Sequence, residues 1–324
     1  MGSSFLVRRV VQAVLTILLI LVLNFFLFRL MPGSPERSIT RNPNLTAEAK
    51  AELRVRWGLD KPVFPDQFVA YLGDVSRGDL GYSFKYRGAP VTEVIGDRIW
   101  PTILLFGAGE AIAIVVGLSL GAYAGWRRGG PIDYLGNGLS LVLYSMPYFV
   151  LGMLLLMVFS RTLGWFPTSG MLTSGASYAG PADQLLDFAA HFALPLATVS
   201  LGLIGLYSIL MRSAIIETLA EDYVQTARAK GLREGRILRH HALPNAILPA
   251  VTVVAIQLGY VIAGAITAEV VFNWPGLGTL AVTALSARDY PVLQGVFLLL
   301  AVSVVVANLL ADLLYGVLDP RVRT

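Results

Sequence analysis

Six cations and four carboxylates crowd one short stretch of this chain: Arg212, Arg228, Lys230, Arg233, Arg236 and Arg239 intermingle with Glu217, Glu221, Asp222 and Glu234. Charged residues make up only 14% of the 324-residue chain, so this density places the segment 213–250 in water, between two long apolar runs. Its chemistry is that of binding rather than of bond breaking. Cysteine is absent and histidine occurs three times, which leaves neither a thiol nucleophile nor a Cys/His metal set. No G-x-x-x-x-G-K-S/T phosphate loop occurs anywhere, so the chain does not itself hydrolyse nucleotide.

A second group of polar residues lies near or inside the apolar runs: Glu110, Glu269 and Asp312, with Gln257, Tyr260 and Asn308 as neutral companions. Ionisable groups within a membrane are costly and often functional, which makes a proton-coupled carrier the competing function. Glu269 and Asp312 fall near run ends, where a hydrated or snorkelling role accounts for them. His191 lacks an acid partner and a nucleophile turn, and reads as an interface residue rather than part of a hydrolase.

The elements that present the charged stretch follow from spacing. Leu219, Tyr223, Val224 and Ala227 recur at i, i+4, i+5 and i+8, which predicts a helix with these four on one inward stripe. Gly231 supplies the left-handed position that ends it, with Lys230 in the last turn where a cation suits the dipole. A second short helix from Glu234 to His241 should turn Ile237, Leu238 and His241 inward before Pro244 and Pro249 restart the chain. The expected product is a helix, a corner and a short helix. Ala227, Ala229 and Gly231 leave that corner without bulk, so another protein's backbone can approach it. An amphipathic helix lying on the bilayer would instead offer Trp, Phe and Leu.

Hydrophobic residues make up 55% of the chain and the mean hydropathy is +0.66. Soluble domains carry about 25% charged residues, so this is an all-α polytopic membrane protein. Apolar runs fall at Val10 to Leu30, Thr102 to Tyr123, Leu135 to Ser160, Phe192 to Met211, Ile247 to Val271 and Val292 to Val317, giving six transmembrane helices. The first is too long for a signal peptide and no cleavage site follows it. Between the first two lies a polar region, Met31 to Arg98, with a helix expected from Thr46 to Trp57. Arg127 and Arg128, the charged stretch, and Arg321 and Arg323 put their connections on the cytoplasmic side, together with both termini; the opposite short loops carry Arg161 and Arg288. The 31–98 region then faces outward. The net charge of +4 is divided among membrane flanks, so the partner is the lipid bilayer and not nucleic acid. Trp165 and Trp274 read as an interfacial aromatic belt with re-entrant turns.

Tyr-Val-Gln-Thr-Ala-Arg-Ala-Lys-Gly at 223–231, followed by His-Ala-Leu-Pro at 241–244, resembles the cytoplasmic signature of binding-protein-dependent ABC transporter permeases. Gln225-Thr226-Ala227 stands where that family has Glu-Ala-Ala, Gly231 is in register, and Leu243-Pro244 closes the pattern. His241 replaces an expected Ile. Met31 to Pro35, Trp57 to Pro62, Gly78 to Ser83, Gly164 to Pro167 and Phe272 to Gly278 resemble the peptide and nickel branch, with Ser34 where an Asp is expected. The resemblance covers nearly the whole chain and implies a type I ABC importer permease fold, with a structured extracytoplasmic loop after the first helix. It divides the chain into an N-terminal helix and loop region, 1–98, and a permease core, 99–324, with the coupling segment 213–250. It implies that Glu221, Asp222, Tyr223, Gln225, Ala227, Arg228, Ala229, Lys230, Gly231, Leu243 and Pro244 dock an ATPase, and Gln257, Tyr260 and Asn308 are candidates for the translocation path. The implied partners are a second homologous permease, two ATPase subunits or a fused pair, and an extracytoplasmic peptide-binding protein. ATP and Mg would sit on the ATPases, with no cofactor on this chain. The implied location is the bacterial plasma membrane, and the implied cargo is di- or oligopeptides, with nickel or glutathione as alternatives.

Overall fold

The computed structural model describes residues 3–30, 46–48, 51, 61–86, 88–263 and 266–318. Among these, regular structure is helical apart from one antiparallel bridge between Tyr82 and Pro90. The helices are α1 (Ser3–Leu30), α2 (Phe68–Ser76), α3 (Val91–Trp126), α4 (Pro131–Ser145), α5 (Tyr148–Leu155), α6 (Pro181–Leu219), α7 (Asp222–Ala229), α8 (Glu234–Ile237), α9 (Leu243–Ala263), α10 (Ile266–Val271), α11 (Leu277–Ala287) and α12 (Tyr290–Leu318). Five described helices are long and apolar enough to cross a membrane, or six when one bent pair is counted as a single span. The expected helix at 46–57 lies mostly outside the described residues.

That bent pair corrects the expectation of a straight third span. α4 and α5 meet at 106° across Met146 and Pro147. Proline lacks the N–H that would continue α4, and its ring forces the preceding residue out of helical geometry, as the extended ψ of 123° at Met146 records. In the fifth run the described helical residues are α9, to Ala263, and α10, from Ile266 to Val271.

The centre of the fold is the seam between α3 and α6. Gly109, Gly117, Gly121 and Gly125 recur at multiples of four, which places them on one helical face. A Cβ at Gly117 would lie 2.8 Å from the Tyr207 Cβ, and one at Gly125 would lie 2.8 Å from the Arg212 carbonyl oxygen. Without side chains the two backbones meet directly, the packing device available where lipid leaves no hydrophobic drive between helices. Gly205 of α6 admits α4 in the same way, a Cβ there lying 2.6 Å from the Ser140 carbonyl oxygen.

Polar groups reinforce the seam at two depths. Glu110 is buried in α3 and accepts a short hydrogen bond from the Tyr207 hydroxyl of α6. Toward the end that carries α7, Asp133 accepts from Arg212 Nε at 2.5 Å and Nη2 at 3.0 Å, and from the Gly129 N–H at 2.9 Å. Arg212 therefore belongs to the α6 interior and is not a free loop cation.

The opposite end, called the loop end below, is built on buried carboxylates. Glu269 of α10 is 1% exposed: its Oε1 accepts from Thr102 Oγ1 at 2.6 Å, and its Oε2 accepts from the N–H groups of Gly278 at 2.7 Å and Thr279 at 3.2 Å. It caps the N–H groups at the start of α11, and its burial rules out a hydrated or snorkelling role. Trp274 is fully buried, its Nε1 donating to the Pro101 carbonyl at 2.9 Å, and is not an interfacial belt residue. Trp165 is exposed. Asp289, also fully buried, accepts from Ser83 Oγ at 2.5 Å and from the N–H groups of Phe84 and Lys85 at 3.1 Å each, which ties the turn before α3 to the start of α12.

α1 lies along α12, joined near the loop end by Asn24 Nδ2 donating to the Gln294 carbonyl at 3.1 Å. Nearer the other end Arg9 and Asp312 form an ion pair at 3.2 Å, which explains Asp312. His191 is buried, with Nδ1 2.8 Å from the Asp187 carbonyl oxygen and 3.4 Å from its carboxylate. An acid partner thus exists, contrary to expectation. Ser200, however, stands nine residues farther along the same helix, about 13 Å away. Asp187 also accepts from Tyr178 at 2.7 Å, which holds that phenol above its ordinary titration range.

Candidate functional site

α6 continues past its apolar part to Leu219, and the chain then turns into α7. Glu221 adopts extended geometry as the cap of α7, its carbonyl accepting from the N–H groups of Val224 at 3.0 Å and Gln225 at 3.2 Å. Gln225 Nε2 reaches back to the Leu219 carbonyl at 3.3 Å, and so helps to satisfy the end of α6. Thr226 Oγ1 donates to the Asp222 carbonyl at 2.9 Å.

Gly231 has φ +74°, the left-handed geometry expected of it. Leu232 N–H donates to the Ala227 carbonyl at 3.3 Å and Gly231 N–H to the Arg228 carbonyl at 2.9 Å. Those two bonds define a Schellman stop, and Leu232 folds back beside Ala227 as the motif requires. Behind the corner lies a miniature core of Val224, Ala227 and Ile237, all buried, with Leu219 and Leu232 partly so. Tyr223 is not on this inward stripe: it is 41% exposed and stands on the outer surface with Glu221, Asp222, Gln225, Arg228, Ala229, Lys230 and Gly231. Position i+5 from Leu219 faces the core and i+4 does not, because the chain breaks its helical phase at Ala220 and Glu221. Arg228 Nε pairs with Glu234 Oε1 at 3.1 Å across the corner.

The second half differs from expectation in a way that matters for mechanics. Pro244 does not restart the chain. α8 passes through a widened turn, Leu238–Ala242, directly into α9, so that residues 234–259 form one continuous helical rod. The widened turn gives the Pro244 ring the room that a regular turn denies it, since the ring would strike the carbonyl four residues back. Ile237 is buried as expected, whereas Leu238, His241 and Leu243 are half-buried and Pro244 is exposed.

Of the path candidates, Gln257 on α9 is half-buried and Asn308 on α12 is exposed; neither hydrogen-bonds within the described residues. The Tyr260 side chain lies outside the described residues. Gly259 packs directly against Ala307, so α9 and α12 approach closely beside these two side chains. Sequence reasoning missed the partnerships made across long separations: Tyr207 with Glu110, Asp133 with Arg212, and Asp289 with Ser83.

The sequence matches the family described as binding-protein-dependent transport system inner membrane component over residues 117–324, and the N-terminal component of the same systems over 3–106. A putative peptide permease protein of Brucella suis biovar 1 (strain 1330) is 42% identical over 308 residues, covering 95% of each chain. The dipeptide transport system permease protein DppB of Escherichia coli (strain K12) is 40% identical, covering 99% of this chain and 98% of that one. The glutathione transport system permease protein GsiC of Pectobacterium atrosepticum is 37% identical, covering 99% of both. Among solved structures, the MetNI methionine ABC transporter in an inward-facing conformation aligns with a TM-score of 0.55 at 16% identity, over 70% of this chain and 97% of that one, which shows a shared fold. The chain therefore belongs to the binding-protein-dependent transport system inner membrane components: it is a non-catalytic permease subunit of an ABC importer, whose ATP is bound by partner ATPases.

Proposed function

We propose that this permease carries di- or oligopeptides, and that the corner from Glu221 to Pro244 receives an ATPase subunit. The supporting observation is the corner itself. The exposed polar and small residues between Asp222 and Gly231 are backed by a buried apolar core, which includes Val224 and Ala227, and by a Schellman stop. A partner groove can therefore close on Ala229 and Gly231 without displacing bulk. On this reading α7, both termini and the Arg127–Arg128 turn are cytoplasmic, and the loop end faces outward toward a binding protein. The 1–98 region supplies the first span and outward loop, and 99–324 the core, which pairs with a second, related permease. Peptide cargo is favoured over glutathione by the names of the first relatives, while the 37% identical GsiC keeps glutathione as the second reading.

The chain has no cysteine, so single cysteines report cleanly. Ala229→Cys should cross-link to the ATPase subunits in the assembled importer, and Leu141→Cys on the exposed face of α4 should not. Uptake of a labelled dipeptide should continue when the proton gradient is collapsed at constant ATP, and labelled glutathione should compete weakly. Cross-linking at Leu141 alone, or uptake that stops with the gradient, would overturn the docking and ATP-driven readings respectively.

A further inference from the structure

α11 is a short helix held at both ends by a buried carboxylate. At its start Glu269 binds the Gly278 and Thr279 N–H groups and, through Thr102, the spanning helix α3. Thr102 Oγ1 also accepts from the Leu277 N–H at 2.8 Å, so the helix start and the α3 side chain share one closed ring of hydrogen bonds. This ring leaves no space for side chains: a Cβ at Gly276 would fall on the Glu269 carboxylate, and one at Gly278 would lie 2.7 Å from the Ile266 Cα. At the far end Arg288 adopts φ +56°, turning the chain so that Asp289 points into the 83–86 turn. Ser83 Oγ, which donates to Asp289, accepts in turn from the Tyr86 N–H at 2.9 Å.

We propose that α11 is a strut that carries load from the 61–90 segment to α3, and that Asp289 is its joint. The inference rests on the reading that the loop end meets the binding protein. Asp289 is a positioning residue: both carboxylate oxygens accept, and its partners are a hydroxyl and two successive backbone N–H groups. Asparagine has the same shape but one accepting oxygen, and its NH2 would face a donor. Asp289→Asn thus loosens the joint while preserving its volume. Movement at the 83–86 turn then no longer displaces α11, and Thr102 no longer passes it into the glycine seam that α3 shares with α6.

The test uses the whole importer in lipid nanodiscs, with the binding protein added empty and peptide-loaded. Three quantities are read: binding-protein affinity, basal ATPase rate and stimulated ATPase rate. Asp289→Asn and Ser83→Ala should leave affinity and basal rate unchanged while stimulation falls at least about fivefold. The double variant should fall no further than the worse single, because both remove one joint. Wild-type stimulation in Asp289→Asn would overturn the strut. So would a proportional loss of basal and stimulated rates, which is the mark of a merely structural defect. If the wild-type importer is neither bound nor stimulated by the binding protein, the reading of the loop end fails instead, independently of the strut.

Discussion

Gly231→Val should weaken binding of the ATPase subunits while leaving the permease in the membrane. No atom lies within 4 Å of the Cβ position at Gly231, so the free chain imposes no steric penalty. The cost is in the backbone, where φ is +74°. A β-branched residue held there stores about 1–3 kcal/mol of strain. Escaping the strain by unwinding the stop gives up the Leu232 and Gly231 hydrogen bonds, at about 1 kcal/mol each. The corner is lost only by the excess of the strain over the cost of unwinding, at most about 1 kcal/mol, which lowers affinity by about two- to sixfold for any partner that needs the corner formed. Valine also adds bulk to a surface that a partner must approach. Asparagine enters left-handed geometry at lower cost, so Gly231→Asn should keep most of the affinity. The assay is co-purification and titration of ATPase subunits against permease in detergent, with abundance in washed membranes as the control. Gly136 of α4, helical with open space around it, is the site for the control substitution. Wild-type affinity in Gly231→Val would refute the argument. Equal losses in the Asn and Val variants would show that bulk, not backbone geometry, is what the partner reads.

Gly121→Ala should destabilise the permease, because a Cβ there would fall on the Ser208 carbonyl oxygen and 2.9 Å from the Met211 Cβ; overpacking of about 1–3 kcal/mol should lower the thermal midpoint of the purified complex. Gly138→Ala, with nothing within 4 Å, should leave that midpoint unchanged or raise it. Asp133→Asn removes the charge opposite Arg212; since Arg212 is partly exposed, the loss should be about 1–3 kcal/mol, less than for a fully buried pair, and Arg212→Lys should not match wild type because it lacks the fork. Cysteines at Gln257 and Asn308 should react with a polar thiol reagent during turnover, read by mass shift; protection in every state would assign both to lipid or to helix contacts.

Periodicity and charge made the spans and the corner legible, because both are local. Gly231 could be assigned from one residue type and its neighbours, and the inward turn of Val224, Ala227 and Ile237 from spacing. Tyr223 was misplaced because the phase of a helix is reset wherever the chain leaves helical geometry, and nothing in the residues around Ala220 marks that reset. Pro244 misled for a different reason: a proline removes one hydrogen bond, and a widened turn can absorb the loss without ending the rod. The buried pairs were invisible because each joins residues far apart along the chain, as Ser83 and Asp289 are across 206 positions. Glu269 read as a hydrated or snorkelling acid at a run end, since a carboxylate bonded to backbone N–H groups has no partner residue type to betray it.

The glycine seam between α3 and α6 also sets a timetable. Gly125 and Arg212 touch in the finished fold, yet α4, α5 and their loop are made between them. Glu110 is synthesised 97 residues before Tyr207, and Asp133 79 residues before Arg212. At about 5–20 residues per second, several seconds pass in which α3 is already out of the ribosome while α6 is not. During that interval the bare stripe of α3 has no matching backbone, and the Glu110 carboxyl has no phenol. The seam is thus completed from the α6 side, with α3 as the half that waits.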